Sequence, residues 1–145
     1  MDTKIIHEPL EISIYGFSGT AFNKDYAGTA FRLMDKMWKV VKSQNIASEG
    51  VNIWIYENGD QVFAGVKLKD TSPQGTGMEF KKIILDKYAY YKHTGPYNLL
   101  PQSGLKMKRE ISELGYDVSM PYIEIYGHAT PDPAKAETEL LMALK

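Results

Sequence analysis

The chain has 145 residues, 43% hydrophobic and 24% charged, which suits one folded domain with its own core rather than a disordered segment. Its 17 basic and 18 acidic residues interleave to a formal net charge of -1, which leaves no electrostatic footprint for nucleic acid or an anionic membrane. Zero cysteines exclude disulfides, thiolate catalysis and cysteine-ligated zinc, the three histidines show no metal-ligand spacing, and no stretch approaches the roughly 20 apolar residues of a membrane span. The amino terminus lacks the charged-then-apolar layout of a signal peptide, so a cytoplasmic location is the default expectation.

Leu10, Ile12 and Ile14 alternate with Glu11, Ser13 and Tyr15, which predicts a first strand that continues irregularly through Gly16 and Gly19 to Phe22. Asn23 and Asp25 offer a cap to a helix whose apolar positions Ala27, Phe31, Met34, Trp38 and Val41 recur at helical spacing. After Gly50, the residues Val51, Ile53 and Ile55 mark a strand, Asn58-Gly59 a hairpin turn, and Val62, Ala64, Val66 and Leu68 the return strand. Residues 71–77 lack periodicity and read as a linker between a first half of about 1–70 and a second of about 78–145.

The second half repeats the plan. Residues 80–93 read as one long or bulged strand, ending in the turn Thr94-Gly95-Pro96. Pro101 suits the first turn of a helix with the buried stripe Leu100, Gly104, Met107, Ile111 and Leu114, and Gly115 suits its carboxyl-terminal cap. Gly104 reads either as a close-packing position or as an exposed weak spot costing about 1 kcal/mol against alanine. Residues 122–126 and 138–144 supply two more strands, joined by a loop holding Pro131 and Pro133. The order strand, helix, strand, strand, twice over, predicts an α+β fold: two modules about a pseudo-twofold axis, antiparallel sheets, two long helices and a central groove.

Two predicted strands carry nearly the same tetrapeptide, Ile53-Trp54-Ile55-Tyr56 and Ile123-Glu124-Ile125-Tyr126. Strand alternation gives the isoleucines one face and Trp54, Tyr56, Glu124 and Tyr126 the other. Either the isoleucines face the core and Glu124 faces water, or one carboxylate lies among aromatic rings. The ten tyrosines fit an aromatic groove, although half-buried strands favour tyrosine as well. His93 beside the turn is a candidate general base, but at a strand end it reads more readily as a hydrogen-bonding turn residue. No Ser-His-Asp elbow is visible, and Gly16 with Gly19 lacks the spacing of a phosphate loop.

The segment Tyr88-Ala89-Tyr90-Tyr91-Lys92-His93-Thr94-Gly95-Pro96-Tyr97, the helix ending in Leu114-Gly115-Tyr116, and then Pro121-Tyr122-Ile123-Glu124-Ile125-Tyr126 resemble the gyrase-inhibitor-like effector-binding family. That family includes the AraC-type ligand-sensing domains of multidrug-responsive bacterial transcription regulators. The resemblance is specific from residue 88 onward and one of plan before it. It implies a groove between the halves with a glutamate, at the place of Glu124, that meets hydrophobic cationic ligands. Trp54, Tyr56 and Tyr126 would wall that site, with Tyr90 beside them.

Three functions are consistent with the sequence. The first is a stand-alone binding module for hydrophobic cations, with no cofactor, no direct contact with nucleic acid and no membrane partner. The chain enters its first strand too early for a helix-turn-helix to precede it, so regulation would require a separate protein partner. The second, implied by the resemblance, is a hydrolase of small electrophilic compounds that uses Glu124 with Tyr126 or Tyr56 as acid and base. The third is a protein-interaction module of the gyrase-modulating kind, in which an outer surface matters instead.

Overall fold

The computed structural model describes residues 2–69, 76–128 and 130–145. The elements run β1 (Lys4–Ile6), β2 (Leu10–Thr20), α1 (Tyr26–Ser43), β3 (Ser48–Glu57), β4 (Gln61–Leu68), β5 (Glu79–Leu85), β6 (Tyr88–Thr94), α2 (Leu100–Glu113), β7 (Val118–Tyr126) and β8 (Glu137–Leu144). Strand, helix, strand, strand therefore occurs twice, in an α+β fold. Two compact units emerge, one contiguous, Glu11–Ile83, and one split, Met1–Leu10 with Ile84–Lys145. The units trade pieces across the two halves of the sequence: residues 1–10 join the second half, and most of β5 joins the first. Residues 71–75 of the expected linker lie outside the described residues.

In the contiguous unit the strands neighbour one another in the order β3-β4-β2-β5. Glu57 pairs with Gln61, so Asn58, Gly59 and Asp60 make the hairpin turn, with Gly59 at φ 76° and Asp60 at φ 58°. Glycine and aspartate tolerate that left-handed backbone, which is why the turn forms here. Asp25 caps α1 by accepting the Gly28 N–H at 3.1 Å. The buried residues of α1 are Thr29, Ala30, Met37 and Val41, of which Met37 and Val41 pack with Phe17, Val66 and Leu68 of the sheet. Met34 and Trp38 pack against that cluster as expected, whereas Ala27 is exposed and Phe31 is 54% exposed.

The split unit has the antiparallel order β1-β6-β8-β7. The single strand expected over residues 80–93 is two: β5 ends at Leu85 beside β2, and β6 restarts at Tyr88 between β1 and β8. Charged Asp86 and Lys87 interrupt the apolar run at that point, and no glycine or proline marks the break. Leu100, Ser103, Met107, Glu110 and Ile111 form the buried side of α2, and Leu100, Met107 and Ile111 pack with Ala89, Leu140 and Met142. Leu114, expected in this stripe, is 41% exposed, since it follows the last helical residue and precedes Gly115 at φ 85°. A Cβ at Gly104 would meet nothing within 4 Å, so the close-packing reading fails and the weak-spot reading stands.

Two residue pairs fasten residues 2–3 to α2. Glu110 accepts both the Thr3 N–H at 3.0 Å and the Thr3 hydroxyl at 2.7 Å on one oxygen. Lys106 pairs with Asp2 and also stands 5.6 Å from the Tyr91 ring centre. The Thr3 hydroxyl holds the Glu110 carboxyl below the ordinary carboxylate range, against the opposing effect of burial.

Candidate functional site

Strand register decides which side chains share a face. Across β7 and β8, Tyr122 stands opposite Met142, Glu124 opposite Leu140, and Tyr126 opposite Thr138. Across β8 and β6, the same three β8 residues face Ala89, Tyr91 and His93. Leu140, Met142 and Ala89 belong to the core under α2, so Glu124 lies on the helix-covered face of the split unit. The wet-face reading of Glu124 therefore fails. Its exposure is only 9%, and the opposite face carries Ile123 and Leu141, which are buried as well.

Each Glu124 oxygen accepts one phenol: Tyr122 donates to Oε2 at 2.9 Å and Tyr126 to Oε1 at 2.8 Å. Both tyrosines are two residues from Glu124, one on each side, so they share its face and lean along the strand to reach it. Hydrogen bonds to a charged group are worth about 1.5–3 kcal/mol each, which offsets much of the desolvation of a buried carboxylate. Tyr97, in the single 3-10 turn Tyr97–Leu99 before α2, packs edge-on against Tyr126 with ring centres 5.6 Å apart and planes at 78°. Tyr97 is itself 50% exposed, so one ring of this cluster is open to solvent.

Tyr126 and Glu124 are thus brought together as expected. Tyr90 is not with them: it pairs with Leu141 and stands on the opposite face, and Tyr91 takes the place beside Leu140. The even-odd parity of β6 against β7 depends on the register through β8, which sequence periodicity does not reveal. Burial and a hydrogen bond to Glu139 push the Tyr90 phenol up to about 12. Tyr122 is not among the expected site residues, although its position two residues before Glu124 in the same strand is the signal for it. Tyr97 follows Gly95-Pro96, outside any periodic pattern, and carries no comparable signal.

Trp54 and Tyr56 sit in the contiguous unit, on the face of β3 that α1 covers. Trp54 is 5% exposed and meets Phe31 of α1 edge-on at 5.0 Å and 78°. Tyr56 meets Tyr26, the first residue of α1, at 6.1 Å and 84°. The Tyr26 hydroxyl donates to Asp60 Oδ1 at 2.5 Å, and that bond, followed by burial, raises its pKa. Two residues before Trp54, Asn52 accepts the indole N–H of Trp38 at 2.7 Å.

His93 is 5% exposed and uses both ring nitrogens, Nδ1 with Ser103 Oγ at 2.7 Å and Nε2 with the Pro96 carbonyl at 3.0 Å. Among the described residues no group of three or more His, Cys, Asp or Glu is arranged to hold a metal ion, and no helix is long and apolar enough to cross a membrane.

No family model matches the chain, and no curated protein matches it. Solved structures do. The EcmrR C-terminal domain is 16% identical with a TM-score of 0.72, over 100% of this chain and 99% of that one. SAV2435, solved bound to tetraphenylphosphonium, is 14% identical with a TM-score of 0.67, over 100% and 94%. A hydrolase from Listeria innocua is 11% identical with a TM-score of 0.60, over 99% and 92%. The chain shares the fold of these proteins.

Proposed function

We propose that this chain is a small-molecule-binding domain of the gyrase-inhibitor-like effector-binding type, and that it takes hydrophobic cations at Glu124. The observation that carries the proposal is a buried carboxylate that accepts two phenols on a face lined by aromatic rings. A buried carboxylate attracts a cation by charge, and the rings beside it add a second, less directional attraction. The edge-on pair Tyr97 and Tyr126 presents two ring faces at a steep angle. Cations over such faces gain about 0.5–2 kcal/mol without demanding one ligand shape. The fold shared with SAV2435, which was solved with a phosphonium cation, supports the same ligand class. Trp54 and Tyr56 remain candidate ring contacts on the face of their own unit.

Titration with tetraphenylphosphonium and with a neutral triaryl compound of similar size tests the proposal. Glu124→Gln keeps the size and one acceptor oxygen but removes the charge. It should weaken the cation by at least about tenfold, or 1.4 kcal/mol, and change the neutral ligand little. Equal affinity of wild type and variant for the cation would overturn the proposal.

A second reading has one observation behind it. The 2.8 Å contact from the Tyr126 hydroxyl to Glu124 is the geometry of an acid-base pair. Turnover of a strained electrophile or reactive ester that vanishes in both Glu124→Gln and Tyr126→Phe would establish that reading.

A further inference from the structure

A carbonyl oxygen only accepts, so the 3.0 Å contact with Pro96 places the proton of neutral His93 on Nε2. Nδ1 is then the acceptor, and the Ser103 hydroxyl donates to it at 2.7 Å. His93 thereby ties three elements: its own strand β6, the turn that follows, and helix α2. The Pro96 carbonyl it holds also accepts the Leu99 N–H at 3.1 Å, the bond that closes the single turn Tyr97–Leu99. Tyr97 hangs from that turn. Its ring rests on Tyr126, and Tyr126 donates to Glu124.

We propose that His93 is a positioning residue for the Glu124 site, acting through the Pro96 carbonyl and Tyr97 to keep Tyr126 on the carboxylate. This inference rests on the binding role given to Glu124 for its effect on affinity, but not for its effect on geometry. Three observations separate it from a simple stabilising tie. His93 and Tyr126 flank the same β8 residue, Thr138, on the helix-covered face. Thr138 is fully buried, so the floor between the two rings is closed protein rather than solvent. Tyr97 is half exposed, so packing alone does not fix its ring and the tethered turn must.

The test compares His93→Ala with His93→Gln, since glutamine keeps one N–H donor for Pro96 and one acceptor for Ser103. The first readout needs no ligand: the nuclear Overhauser contacts between the Tyr97 and Tyr126 rings. They should be lost in His93→Ala while the rest of the spectrum stays dispersed, and return in His93→Gln. The second is tetraphenylphosphonium affinity, expected to fall about fivefold to tenfold in His93→Ala and to recover largely in His93→Gln. Ring contacts that persist in a folded His93→Ala protein overturn the proposal, whatever the affinity does. Should His93→Ala fail to fold, Ser103→Ala with His93→Gln decides: the Pro96 bond survives in both, so loss of the ring contacts in both would overturn the proposal. A wild-type protein that binds no cation would refute the binding role of Glu124 instead, and the ring contacts would still decide the role of His93.

Discussion

Strands β3 and β7 each set the tyrosine of the repeated tetrapeptide against a tyrosine from the start of the helical segment that precedes the strand, and do so with nearly the same geometry. Tyr56 meets Tyr26 at 6.1 Å and 84°, and Tyr126 meets Tyr97 at 5.6 Å and 78°. Two residues earlier in each strand the chemistry diverges. In the contiguous unit Trp54 is packed by Phe31, and the nearby carboxylate, Asp60, sits in the hairpin turn and holds Tyr26. In the split unit the carboxylate is on the strand itself, and the phenols bond to it. The same backbone plan therefore supports an apolar plug in one unit and an acidic centre in the other. The scaffold is paid for by packing around the isoleucines and the helices, which leaves one position in each strand free to differ.

The sharpest test of that contrast is stability. Trp54→Ala should cost about 3–5 kcal/mol, because it empties a buried ring site against Phe31. Glu124→Gln should cost nothing or raise stability, because the amide carbonyl still accepts one phenol and the buried charge is gone. Urea denaturation of both variants measures the difference. A Glu124→Gln protein as destabilised as Trp54→Ala would make Glu124 structural and dissolve the contrast.

A smaller effect belongs to the split unit alone. Glu110→Ala should cost about 2–3 kcal/mol, since it removes two hydrogen bonds to a charged group and strands the Thr3 donors. The pH dependence has a definite sign. Thr3 lowers the folded-state pKa of Glu110, so its contribution is fully present above the ordinary carboxylate value. It is lost as pH falls through the depressed value. The Thr3 amide protection factor, corrected for intrinsic exchange, should fall over that acidic range in the wild type and show no such step in Glu110→Gln. A pH-independent protection factor in the wild type would remove Glu110 as the anchor.

The smallest expected effect is a gain. Gly104→Ala should stabilise by about 1 kcal/mol, because helix propensity improves and the new methyl meets open space. A loss in thermal melting would show that α2 approaches a surface at that position after all.

Much of this architecture was legible because long amphipathic segments announce themselves. Both helices, the β3–β4 hairpin at Asn58-Gly59 and the two strands that close the chain follow from apolar spacing and turn residues. What was hidden lacked local chemistry. Lys4–Ile6 is too short to show a period, and the break at Asp86 and Lys87 has no turn residue to mark it. Ser103 lies at helical spacing from Met107, but a serine in an apolar stripe is read as an interruption until His93 is seen bonded to it. At the site, Glu124 and Tyr126 were visible from the repeated tetrapeptide. Tyr90, expected beside them, lies on the opposite face, because face assignment in β6 is set through β8 and not by its own sequence.

The division of the chain also bears on the order in which its parts are completed during synthesis. Glu11–Ile83 is one uninterrupted stretch, whereas the split unit takes residues from both sides of it. Thr3 and β1 are made early but cannot find Glu110 or β6 until the contiguous unit has passed. That delay gives the split unit the longer loop to close, with the higher entropic cost, and makes the contiguous unit the one able to condense first.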